Sequence, residues 1–359
     1  GVNLESHILS SGSTLILDEL NNLQASYNPR LRKMMNIFLR DLIEKHDLYD
    51  ADLIVFQNGK IVVQEFVSNQ NIPVVYQSHQ LVRIASISKL FVAVAIMQLV
   101  EKGLLSLLSD VSSIVDFTVL NPHYPNHPIT LKMLLTHTSS LQDTNQLYIP
   151  YNEHMRELFE PNGKYHSSDM FVQHQGQYVK PGERFVYYNT GFQLLAAVIE
   201  TVSGKRFDQY ISENILQPLG MVSSFNNEDL NITDLVRPTY RKVSGEWTPQ
   251  FLSGANPYGE YEDYVLGTNG SLFSPQGGLR SNAFELSKFM SWLFEPRTSV
   301  LSKQSLQEMM NIHFYNTSDY KTDEYAHTSG IGFHVIPPSS TDKLIQNMDH
   351  TLVGHVGIA

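Results

Sequence analysis

The chain has no cysteine, and only two tryptophans occur among its 359 residues. Without thiols it can form neither disulfides nor thiolate metal sites, so its fold depends on neither. A basic excess is also missing, because 36 acidic residues outnumber 25 Lys and Arg and give a formal charge of -11. Binding to nucleic acid needs clustered cations, and we therefore expect no nucleic-acid partner.

Long apolar segments are missing as well. The run from Leu90 to Met97 is interrupted by Gln98 and is too short to cross a bilayer, so we predict no membrane span. The first residue is Gly1, and no charged-then-apolar leader follows it. Either a signal has been removed or the sequence begins inside the gene. We expect a periplasmic or secreted protein rather than a cytoplasmic one, although the lack of cysteine suits either compartment.

The chain does contain enough apolar residues for a large core. Its 42% hydrophobic content suits two domains, or one large domain with an inserted lobe. Apolar residues at helical spacing from Leu31 to Leu42 predict an amphipathic helix. Two further runs, Leu53–Gln57 and Ile61–Phe66, flank Asn58-Gly59 and predict a hairpin. Late in the chain, Ile331–Ile336 is a candidate strand.

The middle of the chain predicts mainly helices. A buried helix is expected from Ser86 to about Lys102, where Gly103 ends it, and Thr130 suits the N-cap of a short helix. The other expected elements are helices over 191–202 and 207–215, loops or short strands over 223–270, and a helix capped by Ser281 or Asn282.

Ser86 and Lys89 lie three positions apart at the head of the long apolar helix. Residues at this spacing share one helix face, so the hydroxyl and the amine are neighbours. Burial lowers the pKa of a lysine, and its neutral amine can then accept the proton of a serine nucleophile. The same spacing recurs in Ser318/Lys321 and Ser340/Lys343, but there the surrounding sequence is polar and loop-like.

Two further pairs could complete such a site. Tyr187 and Asn189 follow Pro181-Gly182 and precede a predicted helix, which places a phenol and an amide on a rigid turn. His355 and Gly357 lie in an apolar, strand-like stretch, where the glycine lets a substrate backbone approach closely. A single match to one of these patterns can occur by chance. Three other segments also fit parts of the patterns, namely Tyr124-Pro125-Asn126, His174-Gln175-Gly176 and Lys180-Pro181-Gly182.

With the three pairs in this order, the chain from about residue 50 to its end resembles the serine penicillin-recognising enzymes. It is most similar to the branch that holds class C β-lactamases, DD-peptidases, D-aminopeptidases and related esterases. The surrounding segments that share this resemblance are Leu134-Leu135-Thr136-His137-Thr138-Ser139, Pro181-Gly182 and Gly277-Gly278-Leu279-Arg280-Ser281.

The resemblance implies an α+β fold of the β-lactamase/transpeptidase type, in which an antiparallel sheet is flanked by helices. Residues 1–85 and 275–359 would form the α/β domain, with a sheet from both chain ends, and residues 86–274 a mainly helical lobe. The active site would lie in the groove between them, which agrees with the hairpin, helical middle and late strands predicted above.

The resemblance also implies roles for the six paired residues. Ser86 would attack a carbonyl, while Lys89 and Tyr187 accept and return the proton. Asn189 would bind Lys89 or the substrate amide, and His355 would supply a polar or cationic edge beside Gly357. The backbone N–H groups of Ser86 and Ile358 would form an oxyanion hole.

Two features depart from the family pattern. Relatives that bind a substrate carboxylate often have Thr in the middle of the third motif and Ser or Thr after it, where this chain has Val356 and Ile358. Neither side chain donates a hydrogen bond, which favours an esterase or amidase over a β-lactamase or DD-carboxypeptidase. The sequence also stops at Ala359, so we expect further residues or another chain to cover the last strand.

The leading hypothesis is therefore a serine hydrolase that forms an acyl-enzyme with an ester, a D-amino-acid peptide or amide, or a β-lactam. The alternative is a non-catalytic ligand-binding or sensory module on the same scaffold. A metal-dependent hydrolase is disfavoured because the 14 histidines are scattered and show no metal-binding helix motif. We expect no cofactor, and a small molecule or short peptide as the substrate.

Overall fold

The computed structural model describes residues 29–57, 60–146, 148–230, 236–250, 261, 263–296, 300–315, 328–338 and 350–357. Within these ranges, helices combine with small antiparallel sheets, which confirms the predicted α+β class. None of the described helices has both the length and the apolar composition that a bilayer span requires.

The N-terminal part is a helix on a hairpin. Helix α1 (Pro29–His46) forms as predicted, but it buries Leu39 and Ile43 against Val67 of the hairpin, whereas Met34 and Phe38, which belong to the predicted apolar stripe, are exposed. Strands β1 (Asp50–Gln57) and β2 (Lys60–Ser68) pair antiparallel with Gln57 opposite Lys60. The hairpin is confirmed, while its predicted Asn58-Gly59 turn lies outside the described residues.

The core is built around one helix that is buried on all sides. After the short strand β3 (Val82–Arg83), a 3₁₀ turn (Ala85–Ser88) leads into α2 (Lys89–Glu101), of which residues 89–99 are buried. A continuous apolar run suits this position, since burying each large aliphatic side chain contributes about 1.5–3 kcal/mol. The helix ends as predicted at Gly103, which has a φ of +69°.

The middle of the chain is helical and packs against α2. Helix α3 (Leu131–Leu135) begins at Thr130, whose hydroxyl accepts from the Met133 N–H, so the predicted cap is confirmed. Helix α4 is Arg156–Phe159, and the short strands β4 (Gln173–His174) and β5 (Gln177–Tyr178) follow. Helix α5 (Asn189–Ser203) packs on α2 and ends at Gly204, as the sequence predicts.

Beyond α5, α6 (Phe207–Ile211) continues into a π-helical turn over Ser212–Leu216. The predicted loops or short strands over 223–270 include a hairpin of β6 (Thr239–Val243) and β7 (Glu246–Gln250). Its turn residues, Ser244 and Gly245, both have positive φ angles, as this kind of two-residue hairpin turn requires.

The C-terminal part begins with β8 (Arg280–Ser281), which pairs with β3. Helices α7 (Ala283–Phe294) and α8 (Lys303–Met310) follow, and Asn282 rather than Ser281 caps α7. The last sheet has the order β12-β11-β10-β9 and consists of β9 (Phe314–Tyr315), β10 (Thr328–Ser329), β11 (His334–Ile336) and β12 (Leu352–Gly354).

The late strand is shorter than the sequence predicts. The candidate strand Ile331–Ile336 begins only at His334, because Gly332 turns with a φ of +74° against Ala93 of α2 and leaves no room for a side chain. In the described residues, the short pair of β3 and β8 joins the two chain ends, whereas β1–β2 and β9–β12 form separate hydrogen-bonded sheets. The division into residues 1–85 with 275–359 and residues 86–274 stays a prediction.

Candidate active site

The backbone bends sharply just before Ser86. Ile84 is tied to the neighbouring segment by its N–H, which donates to the Leu279 carbonyl at 3.0 Å. Ala85 then adopts a φ of +48°, a left-handed conformation that costs a non-glycine residue on the order of 1 kcal/mol. This bend brings Ser86 to the start of the helical segment, where its side chain is half-buried.

The Lys89 side chain is fully buried beside Ser86. Its Nζ donates to Ser86 Oγ at 3.0 Å, to Asn189 Oδ1 at 2.9 Å and to the Gln276 carbonyl at 2.6 Å. The two carbonyl oxygens can only accept hydrogen bonds, so a neutral amine gives them its two protons. Its lone pair then faces Ser86, the one member of the three that can donate.

Burial lowers the pKa of Lys89 from 10.5 to about 7. Asp143 counteracts part of this effect by stabilising the ammonium form, and Arg83 adds to it. The amine is therefore substantially neutral at physiological pH, which is the state that can accept a proton from Ser86.

Tyr187 lies over the same amine. Its ring centroid is 4.9 Å from Lys89 Nζ, and the ring stacks on His137 with a centroid distance of 4.4 Å. His137 is buried and accepts the Tyr188 N–H through Nδ1 at 3.0 Å, so it ties the Tyr187 segment to the end of α3. Burial and the charge of Lys89 hold the pKa of His137 well below its usual value, which keeps the imidazole neutral.

Asn189 is the first residue of α5, and its amide bridges two charged groups. Its Oδ1 accepts from Lys89, while its Nδ2 donates to Asp143 Oδ2 at 2.8 Å. Asp143 also accepts the backbone N–H groups of Asn189 and Thr190 at 3.0 and 2.9 Å. Its carboxylate thus caps the N-terminus of α5 from a distant part of the chain.

Gly357 packs directly against the backbone that leads to Ser86. A Cβ atom at this position would lie only 2.6 Å from the Ile84 carbonyl oxygen and 3.5 Å from Ala85 Cβ. The third pair is thus brought to the same site as the first two, with its glycine against the bend. Ile358, expected to supply an oxyanion-hole donor, lies outside the described residues.

His355 is half-buried and packs against His334 at a ring-centroid distance of 4.3 Å. Burial, His334 and Lys89 together lower the pKa of His355 well below its usual value. Of the polar or cationic edge that the resemblance predicts for His355, the lowered pKa favours the polar form at neutral pH. The sequence could not indicate this, because His334 and Lys89 become its neighbours only in the fold.

Three parts of the site were not predicted from the sequence. Asp143 belongs to no recognised pattern, although a carboxylate that caps α5 could have been sought in the loops before it. The Gln276 carbonyl is a backbone group, which any residue could supply. Arg83 donates from Nε to the Gly277 carbonyl at 2.7 Å and so holds the loop that carries Gln276 against the helix.

The chance matches lie in structural turns instead. Gln175 and Gly176 form the tip of the β4–β5 hairpin, both with positive φ, and the Tyr124 hydroxyl donates to the Tyr178 carbonyl at 2.6 Å. The other two Ser-x-x-Lys pairs lie outside the described residues. In the described part of the chain, no three His, Asp or Glu side chains are grouped so that they could hold a metal ion.

Comparison with known proteins shows the family and the fold. Residues 36–359 match the model of the family described as Beta-lactamase. A curated relative, Protein flp of Staphylococcus aureus (strain MRSA252), is 28% identical over 199 residues, which are 53% of this chain and 38% of the relative. The chain thus matches well under half the length of that relative.

Two solved structures share the fold. The octameric penicillin-binding protein homologue from Pyrococcus abyssi has a TM-score of 0.69 at 26% identity over 91% of this chain and 68% of its own. The D-amino acid amidase from Ochrobactrum anthropi SV3 has a TM-score of 0.59 at 21% identity over 88% of this chain and 83% of its own. The latter likeness shows the fold alone, but the family match spans most of the sequence. The chain belongs to the β-lactamase family.

Proposed function

We propose that the chain is a serine hydrolase that forms a covalent acyl-enzyme on Ser86. The observation that carries this proposal is the environment of Lys89, a fully buried amine 3.0 Å from the Ser86 hydroxyl. The carbonyl oxygens of Asn189 and Gln276 accept the two protons of the neutral amine, so its lone pair faces the Ser86 hydroxyl. This arrangement supports a general base that activates a nucleophile.

The reaction starts when the Lys89 amine accepts the Ser86 proton and Oγ attacks a substrate carbonyl. The new C–O bond gives a tetrahedral oxyanion, for which the Ser86 and Ile358 N–H groups are the proposed donors, each worth on the order of 3 kcal/mol. The proton then passes to the leaving group, with the Tyr187 phenol as the second member of the relay. Water attacks the acyl-enzyme in the reverse sequence and releases the acid.

We propose that the substrate lies in the groove between the two predicted lobes. Ser86 lies in the 3₁₀ turn before α2 and Lys89 starts α2, while Asn189 starts α5 and Gly357 follows β12. Three separate parts of the chain therefore line the site. The space that a Cβ would take at Gly357 is filled by the Ile84 carbonyl, so this glycine allows the last segment to lie against the bend before Ser86.

The preferred substrates are esters or amides without a carboxylate beside the scissile bond. Val356 offers no hydrogen bond from its side chain, and the lowered pKa of His355 leaves the neighbouring edge uncharged. A substrate carboxylate would therefore lose solvation without gaining a cationic partner there. D-Amino-acid amides and simple esters fit this edge better than penicillins or peptides with a free C-terminal carboxylate.

A panel of p-nitrophenyl esters, D-amino-acid amides and nitrocefin tests this proposal with purified protein. We expect turnover of esters or amides above that of nitrocefin, and its loss in Ser86→Ala. Tyr187→Phe keeps the ring that stacks on His137 but lacks the hydroxyl, and we expect its kcat to fall roughly 10²- to 10⁴-fold. Turnover by Ser86→Ala at the rate of the unchanged protein would overturn the proposal.

The alternative is a ligand-binding module without catalysis, favoured by the missing side-chain donor at position 356. It predicts saturable binding of a substrate analogue with no product and no acyl adduct. Ser86→Ala would then bind the same analogue with unchanged affinity. Release of product by the unchanged protein excludes this alternative.

A further inference from the structure

We propose that Asp143 is a positioning residue of the active site, which orients the Asn189 amide towards Lys89 and balances the charge around the buried amine. The inference rests on the proposed function, because it assigns Asp143 a part in the work of Lys89. Asp143 lies between α3 and α4, 46 residues before Asn189, and its side chain is half-buried.

The orientation follows from hydrogen-bond chemistry. Asp143 accepts four hydrogen bonds, from the backbone N–H and Nδ2 of Asn189 and from the backbone N–H and hydroxyl of Thr190. An ionised carboxylate can only accept, so the amide of Asn189 must turn its NH₂ group towards Asp143. Its Oδ1 then faces Lys89, which it meets at 2.9 Å.

This orientation matters for the direction of the Lys89 lone pair. If the Asn189 amide were reversed, its NH₂ group would face Lys89 and compete for the lone pair that should accept the Ser86 proton. With Oδ1 in place, Asn189 instead takes one of the amine protons. Asp143 therefore acts on the nucleophile through two intervening side chains.

The charge of Asp143 also favours the ammonium form of Lys89, whereas Arg83 opposes it. The other titratable neighbours of the amine are His137 and His355, whose lowered pKa values leave them neutral, and Tyr187 beside it. Asp143 is thus the acidic group that stabilises the proton on Lys89 after transfer from Ser86. A carboxylate that capped α5 without lying near Lys89 would leave the titration of the amine unchanged.

The test compares Asp143→Asn and Asp143→Ala with the unchanged protein. In the asparagine variant one oxygen remains for Asn189, and the new NH₂ group would face Thr190, whose hydroxyl can accept but whose backbone N–H loses its acceptor. Both variants lose the negative charge, so the acidic limb of the kcat/KM profile should move to lower pH. We expect kcat/KM on the plateau to fall roughly 10- to 100-fold, and further in the alanine variant, because Asn189 is less well oriented.

Glu285→Gln is the matched control. Glu285 is also a buried carboxylate that holds a distant backbone N–H, since its Oε2 accepts from Val222 at 2.6 Å, but it lies on α7. We expect this variant to lower the melting temperature and to leave the acidic limb of the kcat/KM profile at the same pH. Thermal unfolding of all variants separates loss of structure from loss of positioning.

A second measurement keeps the inference independent of any substrate. NMR titration of protein labelled at the lysine side chains follows Lys89 directly, and its midpoint should fall in both Asp143 variants and stay unchanged in Glu285→Gln. An unmoved Lys89 midpoint in folded Asp143→Asn would overturn the inference. Failure of the proposed function is a separate outcome, namely an unchanged protein that neither turns over substrate nor is acylated at Ser86.

Discussion

The Lys89 amine lies 3.0 Å from the Ser86 hydroxyl, and its side chain is fully shielded from solvent. A buried ammonium is costly, because protein surroundings replace its hydration only in part. Three polar contacts keep the amine in place, while the same burial makes it a base near neutral pH. The position of one lysine thus links a cost in stability to the proposed chemistry.

The first prediction concerns the pH dependence of activity. Lys89 must be neutral to accept the Ser86 proton, and its pKa is lowered to about 7, so kcat/KM should rise with pH through about 7 and then level off. His137 and His355 have pKa values well below the usual one and do not account for a limb in this range. Stopped assays at several pH values between 5 and 9 measure this pH dependence of kcat/KM. A rate that falls as pH rises through 7 would mean that Lys89 is needed as a cation.

The second prediction concerns stability in Lys89→Met. On folding, the pKa of Lys89 falls from 10.5 to about 7, so the unfolded chain binds more protons between these values. The Lys89 contribution therefore makes the unfolding free energy rise with pH across this window, by at most about 5 kcal/mol. Below pH 7 the amine is protonated in both states and the full cost of burial is present.

Methionine has a similar volume and no charge, so Lys89→Met should flatten the pH dependence of the unfolding free energy between pH 7 and 10.5. The gain in unfolding free energy will be smaller than the upper limit of about 5 kcal/mol. The reason is that the carbonyls of Asn189 and Gln276 lose a hydrogen-bond donor. Urea unfolding at several pH values measures the slope. Parallel curves for the two proteins would show that Lys89 is not buried as described.

The third prediction uses a pair of glycines in the last strand region. A Cβ at Gly357 would approach the Ile84 carbonyl oxygen at 2.6 Å, so Gly357→Ala must displace the segment that leads to Ser86. We expect kcat/KM to fall roughly 10- to 100-fold. Gly354 is the matched control, because a Cβ there would meet nothing within 4 Å, and Gly354→Ala should keep its activity. Equal losses in both variants would contradict the close approach of Gly357 to the site.

Local features of the site could be predicted from the sequence. Ser86 and Lys89 are neighbours because their spacing is just under one helical turn, and the end of α2 at Gly103 follows from the conformational freedom of glycine. The same holds for the hydroxyl of Thr130, which caps the helix that begins at the next residue. In each case the interacting groups lie within a few positions of each other.

Contacts between distant segments could not be predicted in this way. The link from Asp143 to Asn189 spans 46 positions, and the Gln276 carbonyl reaches Lys89 across 187. Such contacts depend on how the helices pack. Every residue has a backbone carbonyl, so the sequence does not indicate which one accepts from Lys89. The neutral state of His355 likewise depends on neighbours that meet only after folding.

The most direct test of the account is where a fluorophosphonate probe attaches to the folded protein. The intact mass should increase by one adduct, and peptide mapping should place it on Ser86, with no adduct in Ser86→Ala. A folded, unchanged protein that gains no adduct, or gains it on another residue, would contradict the central claim that Lys89 activates Ser86 as a nucleophile.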